Sequence, residues 1–101
     1  MNKRIKAKWL KALRSGRYKQ GHNRLYEDRE YCCLGVLCKA MDTPIRKYAG
    51  FLSGDILAKA GITGQQESRL VGLNDGHHSH SGGYIEPKTF DQIADWIEAH
   101  L

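Results

Sequence analysis

The residues most able to take part in binding chemistry are cations that surround one tyrosine in the first quarter of the chain. They are Arg14, Arg17, Lys19 and Arg24. Tyr18 stands among them, and an aromatic ring can stack on a base while neighbouring cations hold phosphate. With Asn74 as a polar donor from a later loop, these residues predict a binding site for an anionic ligand of the nucleotide type. The alternative for Tyr18 is simple packing over the end of the first helix.

The charges of the chain are unevenly distributed. The formal net charge is +5, and every Lys, Arg, Asp or Glu before Glu27 is basic. The C-terminal stretch is acidic, with Glu86, Asp91, Asp95 and Glu98 against Lys88. A basic patch raises the local concentration of anionic partners. The same asymmetry could instead pair the first helix with the last helix of the same chain or of a second copy in a homodimer, or it could mark a solvated helix face.

Three histidines lie in a stretch of Ser and Gly between residues 76 and 83. His77, His78 and His80 are weak candidates for zinc or nickel ligands, because imidazoles one or two residues apart on a loop can meet one ion. No further ligand group follows at a defined spacing. We therefore expect a mobile loop at about 76–83 and no bound metal.

The three cysteines, Cys32, Cys33 and Cys38, lie in the most apolar segment and form no Cys-x-x-Cys pair. Free cysteine is among the most buried residue types, and burial in apolar surroundings raises the thiol pKa. Spacing alone permits a Cys–His pair with His22 or His78, but a raised pKa is the reverse of what a nucleophile needs. Phosphate-binding loops and zinc-finger spacings are missing from the sequence. These features predict a binding protein rather than an enzyme, with no cofactor.

The secondary-structure elements that must position these residues are predicted to form one α+β domain over 1–101, mostly helical, with a short antiparallel β-hairpin. Residues 3–15 have the periodicity of an amphipathic helix with Trp9 on its buried face. Two strands at 24–26 and 30–32, joined by a turn, then lead into a helix that ends near Met41. Gly35 weakens a helix interior by about 1 kcal/mol, so we expect another backbone to pack closely against it.

The sequence predicts shorter helices, turns and strands in the second half of the chain. They are a helical turn at 45–49, a helix capped by Ser53 that ends at Gly61, a capping box at Thr63 and Gln66, a turn at Asn74-Asp75-Gly76, a short strand at 84–85, and a last helix capped by Thr89. Gly72 leaves the segment after Gln66 open between helix and strand. The last helix buries a stripe of apolar residues, namely Phe90, Ile93, Ala94 and Ile97.

Four segments of the chain resemble a pattern in small uncharacterised proteins of tailed bacteriophages. They are residues 13–21, Tyr31-Cys32-Cys33-Leu34-Gly35-Val36-Leu37-Cys38, Leu73-Asn74-Asp75 and residues 90–98, and the cysteine-rich string is the most specific. The resemblance implies a phage origin and the cytoplasm of an infected bacterium. It implies no activity and no catalytic residue, and the histidine-rich insert looks particular to this chain.

Together these features predict a phage accessory protein of the counter-defence type that sequesters an anionic nucleotide. One alternative is an inhibitor that docks on a host protein through the exposed aromatics Tyr26, Tyr48 and Tyr84. Another is nucleic-acid binding through Lys6, Lys8 and Lys11 on the first helix. No apolar run is long enough to span a membrane, so no membrane partner is expected.

Overall fold

The first helix, α1, comprises Lys3–Arg14 in the computed structural model, which describes residues 1–101. Asn2 caps it, because its side-chain oxygen accepts a hydrogen bond from the backbone N–H of Ile5 at 2.9 Å. Trp9 and Leu13 are buried on its inner face, as the apolar periodicity predicted. The helix ends before Gly16, whose φ of 74° lies in the left-handed region that favours glycine.

Three two-residue strands follow: β1 (Lys19–Gln20), β2 (Tyr26–Glu27) and β3 (Glu30–Tyr31). They form one sheet in the order β1-β3-β2, with β1 parallel and β2 antiparallel to β3. The predicted hairpin is confirmed, although β2 lies later than the predicted 24–26. Its turn consists of Asp28 and Arg29, both with positive φ, as a type I′ turn requires. Strand β1 was not predicted.

Helix α2 comprises Cys33–Ala40 and lies at the centre of the molecule. Residues 32–38 are all buried, and α2 packs against both α1 and the next long helix. The indole Nε1–H of Trp9 donates to the carbonyl of Cys33 at 2.9 Å, which fixes α1 against the start of α2. The predicted order in this segment, a short strand followed by a helix, is confirmed by β3 and α2.

Two helices follow a long loop: α3 (Gly54–Ala60), capped by Ser53, and α4 (Gly64–Asp75), which begins at the predicted capping box. Two predictions are wrong here. Residues 45–49 form no helix. Asn74 and Asp75 are the last residues of α4, not a turn, because the amide of Asn74 has tertiary partners that hold it in the helix.

The segment rich in histidine is a small hairpin of β4 (His77–His78) and β5 (Tyr84–Ile85). The last helix, α5, comprises Phe90–His100 and has the predicted capping box at Thr89 and Gln92. It packs against α1 and α4, and its apolar stripe is buried as predicted.

The core is continuous across all the helices. The radius of gyration is 12.7 Å, close to the value of about 13 Å expected for a single domain of one hundred residues. The α+β fold class, mostly helical with small strand pairs, is confirmed. None of the helices has the length and apolar character that crossing a membrane requires.

Candidate functional site

A basic groove runs along the exposed side of α1 and encloses a volume of about 440 Å³. Six residues line it: Lys8, Lys11, Ala12, Ser15, Arg17 and Tyr18. The first four are spaced at i, i+3, i+4 and i+7, which places them on one face of the helix. The chain then turns at Gly16 and brings Arg17 and Tyr18 to the end of the same face. We refer to this site as the basic groove.

The cations of the basic groove have no acidic partners. Lys8, Lys11 and Arg17 are exposed, and they form none of the four salt bridges of the molecule. No carboxylate lines the groove. Uncompensated cations that surround one concave surface produce a positive potential there, and an anion that enters meets charge-assisted donors.

Tyr18 is the aromatic wall of the basic groove. Its ring is half-buried and meets the edge of the Tyr31 ring, with 5.2 Å between centroids and 83° between planes. Tyr31 also contacts Tyr26, at 4.7 Å between centroids. The chain of three rings holds Tyr18 in place, so a ligand would meet an oriented ring rather than a free one.

Arg14 was predicted in the ligand site, but its charge is paired within the chain. It donates to Asp95 at 2.8 Å and to Glu98 at 2.9 Å, both on α5. These two carboxylates raise the pKa of the Arg14 guanidinium. Lys6 donates to the Glu98 carbonyl at 3.3 Å. The expectation that the basic first helix can pair with the acidic last helix of the same chain is confirmed.

Two further predicted cations are also engaged outside the basic groove. Lys19 pairs with Glu30 at 3.2 Å, across the parallel strands β1 and β3. Arg24 pairs with Glu27 at 2.8 Å and donates to the Tyr48 carbonyl at 3.0 Å. Arg24 therefore ties the loop before α3 to the hairpin. Of the predicted ligand residues, the structure brings Arg17 and Tyr18 together in the groove.

The predicted loop donor, Asn74, is buried in α4 and its exposed fraction is 0%. Its Oδ1 accepts from the N–H of Cys33 and from Gln20, and its Nδ2 donates to the carbonyl of Gly21 and to Asp75. The prediction of an available donor at this position is wrong, because both ends of the amide already have partners in the fold.

Sequence reasoning assigned Lys8 and Lys11 to nucleic-acid binding and missed them as partners of Tyr18. A signal was present in the sequence: Lys8, Lys11 and Ser15 share one face of α1, and this face leads directly to Tyr18. Many cations precede Glu27, and the sequence does not show which of them have carboxylate partners in space.

The three histidine candidates lie apart from the basic groove. The Nδ1 atom of His77 is 3.3 Å from the carbonyl of Gly72, and the ring of His78 packs on Tyr84. His80 is exposed. The structure brings together no group of three or more His, Cys, Asp or Glu side chains with the geometry of a metal site.

The thiols of Cys32, Cys33 and Cys38 are free and buried, as predicted. Desolvation raises the pKa of Cys32 and of Cys38 to about 11, and raises the pKa of Cys33 well above its ordinary value. At neutral pH all three are therefore protonated, and none has the thiolate character of a nucleophile.

The raised thiol pKa values predict a loss of stability at alkaline pH. Between about pH 9 and pH 11 the unfolded chain releases thiol protons that the folded chain retains, so the free energy of unfolding should fall as the pH rises. A shift of about two units corresponds to about 2–3 kcal/mol for one thiol. Urea unfolding at several pH values measures this, and Cys38→Ala should show a shallower decline. Equal slopes in the two proteins would contradict the assignment.

Several aromatic rings remain exposed away from the basic groove. Tyr48 is 66% exposed, Tyr84 56% and Tyr26 39%, so the exposure that the sequence predicted is confirmed. Phe51 is also exposed. The charged groups of Arg24 and Lys47 lie 5.4 and 5.2 Å from the centroid of the Tyr48 ring. These are common cation–π distances and stabilise the loop locally.

Residues 1–45 match the model of a family described as a domain of unknown function, DUF8296. The matched segment contains α1, the three-stranded sheet, α2 and all six residues that line the basic groove. The histidine hairpin and α5 lie outside it. No curated protein and no solved structure is significantly similar to the chain.

Proposed function

We propose that the protein is a non-enzymatic binding protein that sequesters an anionic ligand of the nucleotide type in the basic groove. The observation that carries the proposal is the set of three unpaired cations around a groove with an oriented tyrosine and no carboxylate. Two neighbouring cations are instead paired with carboxylates, Arg14 with α5 and Lys19 with β3.

The chemistry of the basic groove suits phosphate next to an aromatic or sugar group. Lys8 and Lys11 supply ammonium donors, and Arg17 supplies a planar guanidinium that can hold two phosphate oxygens. Tyr18 supplies a ring on which a flat group can stack. The volume of about 440 Å³ lies within the range of small-molecule sites.

Binding without catalysis is supported by the state of the nucleophiles. The three thiols are buried and protonated, so they do not act on a ligand in the groove. Lys8, Lys11 and Arg17 are exposed cations with no acid beside them, which suits charge recognition rather than proton transfer.

The biological setting is part of the same proposal. The cysteine-rich string resembles phage proteins, and small phage proteins that sequester nucleotide signals act against the defences of the infected cell. We therefore place the protein among phage accessory proteins of the counter-defence type, acting in the cytoplasm of the bacterial host. The groove is the surface on which such a signal would be held.

Charge reversal in the basic groove tests the proposal. Isothermal titration calorimetry at low salt with a panel of linear and cyclic nucleotides should give binding, and Lys11→Glu or Arg17→Glu should weaken it at least tenfold. A lost charge-assisted hydrogen bond costs about 1.5–3 kcal/mol, and about 1.4 kcal/mol is tenfold in affinity.

The matched control is Lys59→Glu. Lys59 is exposed in the last turn of α3, as Lys11 is in the last turn of α1, so the effect on the helix dipole is the same. Absence of heat with every nucleotide, or an equal loss in the control, would refute the proposal. Tight binding to mixed-sequence oligonucleotides with a steep salt dependence would instead identify a nucleic-acid-binding protein.

A further inference from the structure

A second depression lies beside the basic groove, between the end of α1 and the start of α5. It encloses about 300 Å³, and its lining includes Arg14, Tyr18, Gln20 and Asp91. We refer to it as the neighbouring hollow. Tyr18 is the one residue that lines both sites, so its ring is their shared wall. A ligand larger than a phosphate can extend from the groove past Tyr18 into the hollow.

The neighbouring hollow differs from the groove in its charge. Its one cation, Arg14, is held by Asp95 and Glu98. Asp91 is exposed and is in none of the salt bridges, so its carboxylate remains available as an acceptor. The amide nitrogen of Gln20 donates to Asn74 and to the Lys88 carbonyl, which leaves Oε1 of Gln20 as a second acceptor.

Because Asp91 and Gln20 both present acceptor oxygens, the neighbouring hollow favours a ligand group that carries hydrogen-bond donors. Phosphate would be repelled by Asp91, whereas the cations of the basic groove attract it. A base that presents two adjacent N–H groups to one carboxylate matches an acceptor with two oxygens. Guanine presents N1–H and its 2-amino group in this way. Adenine presents one amino group next to the ring acceptor N1, and this acceptor would face the carboxylate.

We propose that the neighbouring hollow receives the base of the bound nucleotide and selects guanine through the carboxylate of Asp91. This inference rests on the proposed function of the basic groove, which holds the phosphates on Lys8, Lys11 and Arg17. Tyr18 lies between the two subsites and contacts the sugar or the ring. In this arrangement the basic groove supplies the affinity for phosphate, and the neighbouring hollow determines which base is preferred.

The test is a comparison of guanosine, inosine and adenosine diphosphates with inorganic pyrophosphate by calorimetry. The wild-type protein should bind guanosine diphosphate at least tenfold more tightly than adenosine diphosphate. Inosine diphosphate, which keeps N1–H and lacks the 2-amino group, should fall between them. Asp91→Asn should reduce the preference for guanine to less than threefold without weakening pyrophosphate binding, because the substitution removes a charge that repels phosphate.

The matched control is Asp55→Asn. Asp55 is the second residue of α3 and Asp91 the second residue of α5; both are exposed, so the two substitutions have the same local effect on a helix. Equal wild-type affinities for the guanosine and adenosine diphosphates would overturn the guanine assignment and leave the groove proposal standing. Failure of pyrophosphate and of all three nucleotides to bind would overturn the proposed function itself. A preference for guanine that survives Asp91→Asn would also overturn the role of Asp91.

Discussion

Gly35→Ala should unfold the protein or lower its free energy of unfolding by more than about 3 kcal/mol, which is the upper end of ordinary overpacking costs. A Cβ atom at this position would lie 1.9 Å from the carbonyl oxygen of Leu25 and 2.9 Å from its carbonyl carbon. Both are backbone atoms, so no side-chain rotation relieves the clash. Leu25 is itself 1% exposed and its carbonyl accepts from the N–H of Cys32, so the hairpin and α2 would have to separate.

The measurement is urea unfolding followed by tryptophan fluorescence. Of the two tryptophans, Trp9 is buried and contacts the start of α2 through the Cys33 carbonyl. The matched control is Gly64→Ala, at the first residue of α4. A Cβ there meets no atom within 4 Å, and φ is not positive. Alanine has the higher helix propensity, so the control should be neutral or stabilising by up to about 1 kcal/mol. A similar midpoint for the two variants would contradict the packing argument.

Gly35 also shows how far a sequence can predict packing. A glycine within an apolar helix is unfavourable unless something requires it, and this reasoning correctly predicted a close backbone. Helices α1 and α5 were predicted for comparable reasons, because their apolar periodicity and caps are local signals. The identity of the neighbour, the carbonyl of Leu25, is a tertiary fact and carries no signal in the sequence.

The same distinction explains what was missed. Strand β1 has two residues and pairs in parallel with β3, a contact between distant positions that leaves no alternating pattern. Residues 74–76 have the composition of a turn, but Asn74 extends α4 because its amide is bound by other segments. In the candidate site, Arg17 and Tyr18 were predicted together. The choice of Lys8 and Lys11 over Arg14 depended on which cations the carboxylates of α5 neutralise.

Asn74→Ala should lower the free energy of unfolding by about 3–5 kcal/mol, the range expected when several buried partners lose their hydrogen bonds. The Oδ1 atom accepts from the N–H of Cys33 at 3.0 Å, and Nδ2 donates to the carbonyl of Gly21 at 2.8 Å. Both partners are buried, so alanine would leave them without hydrogen bonds and without access to water. One side chain of α4 thus holds the start of α2 and the end of the sheet.

The control separates this network from the loss of a single surface hydrogen bond. Asn2→Ala removes the side-chain cap of α1, whose one hydrogen bond is accepted from the N–H of Ile5, and keeps the backbone hydrogen bonds of Asn2. It should cost about 1 kcal/mol. The free energies of unfolding of the two variants, measured in urea by tryptophan fluorescence, should therefore differ by at least about 2 kcal/mol. A cost for Asn74→Ala no larger than that for Asn2→Ala would mean that water or a shifted backbone replaces the amide.

Because the indole of Trp9 donates to the carbonyl of Cys33, and the N–H of Cys33 donates to Asn74, both α1 and α4 hold Cys33 in place. Loss of the Asn74 contact should therefore loosen α1 as well. Amide hydrogen exchange in the second half of α1, which forms the wall of the basic groove, should be faster in Asn74→Ala than in the wild-type protein. A variant that removes only a surface cation should show no such change.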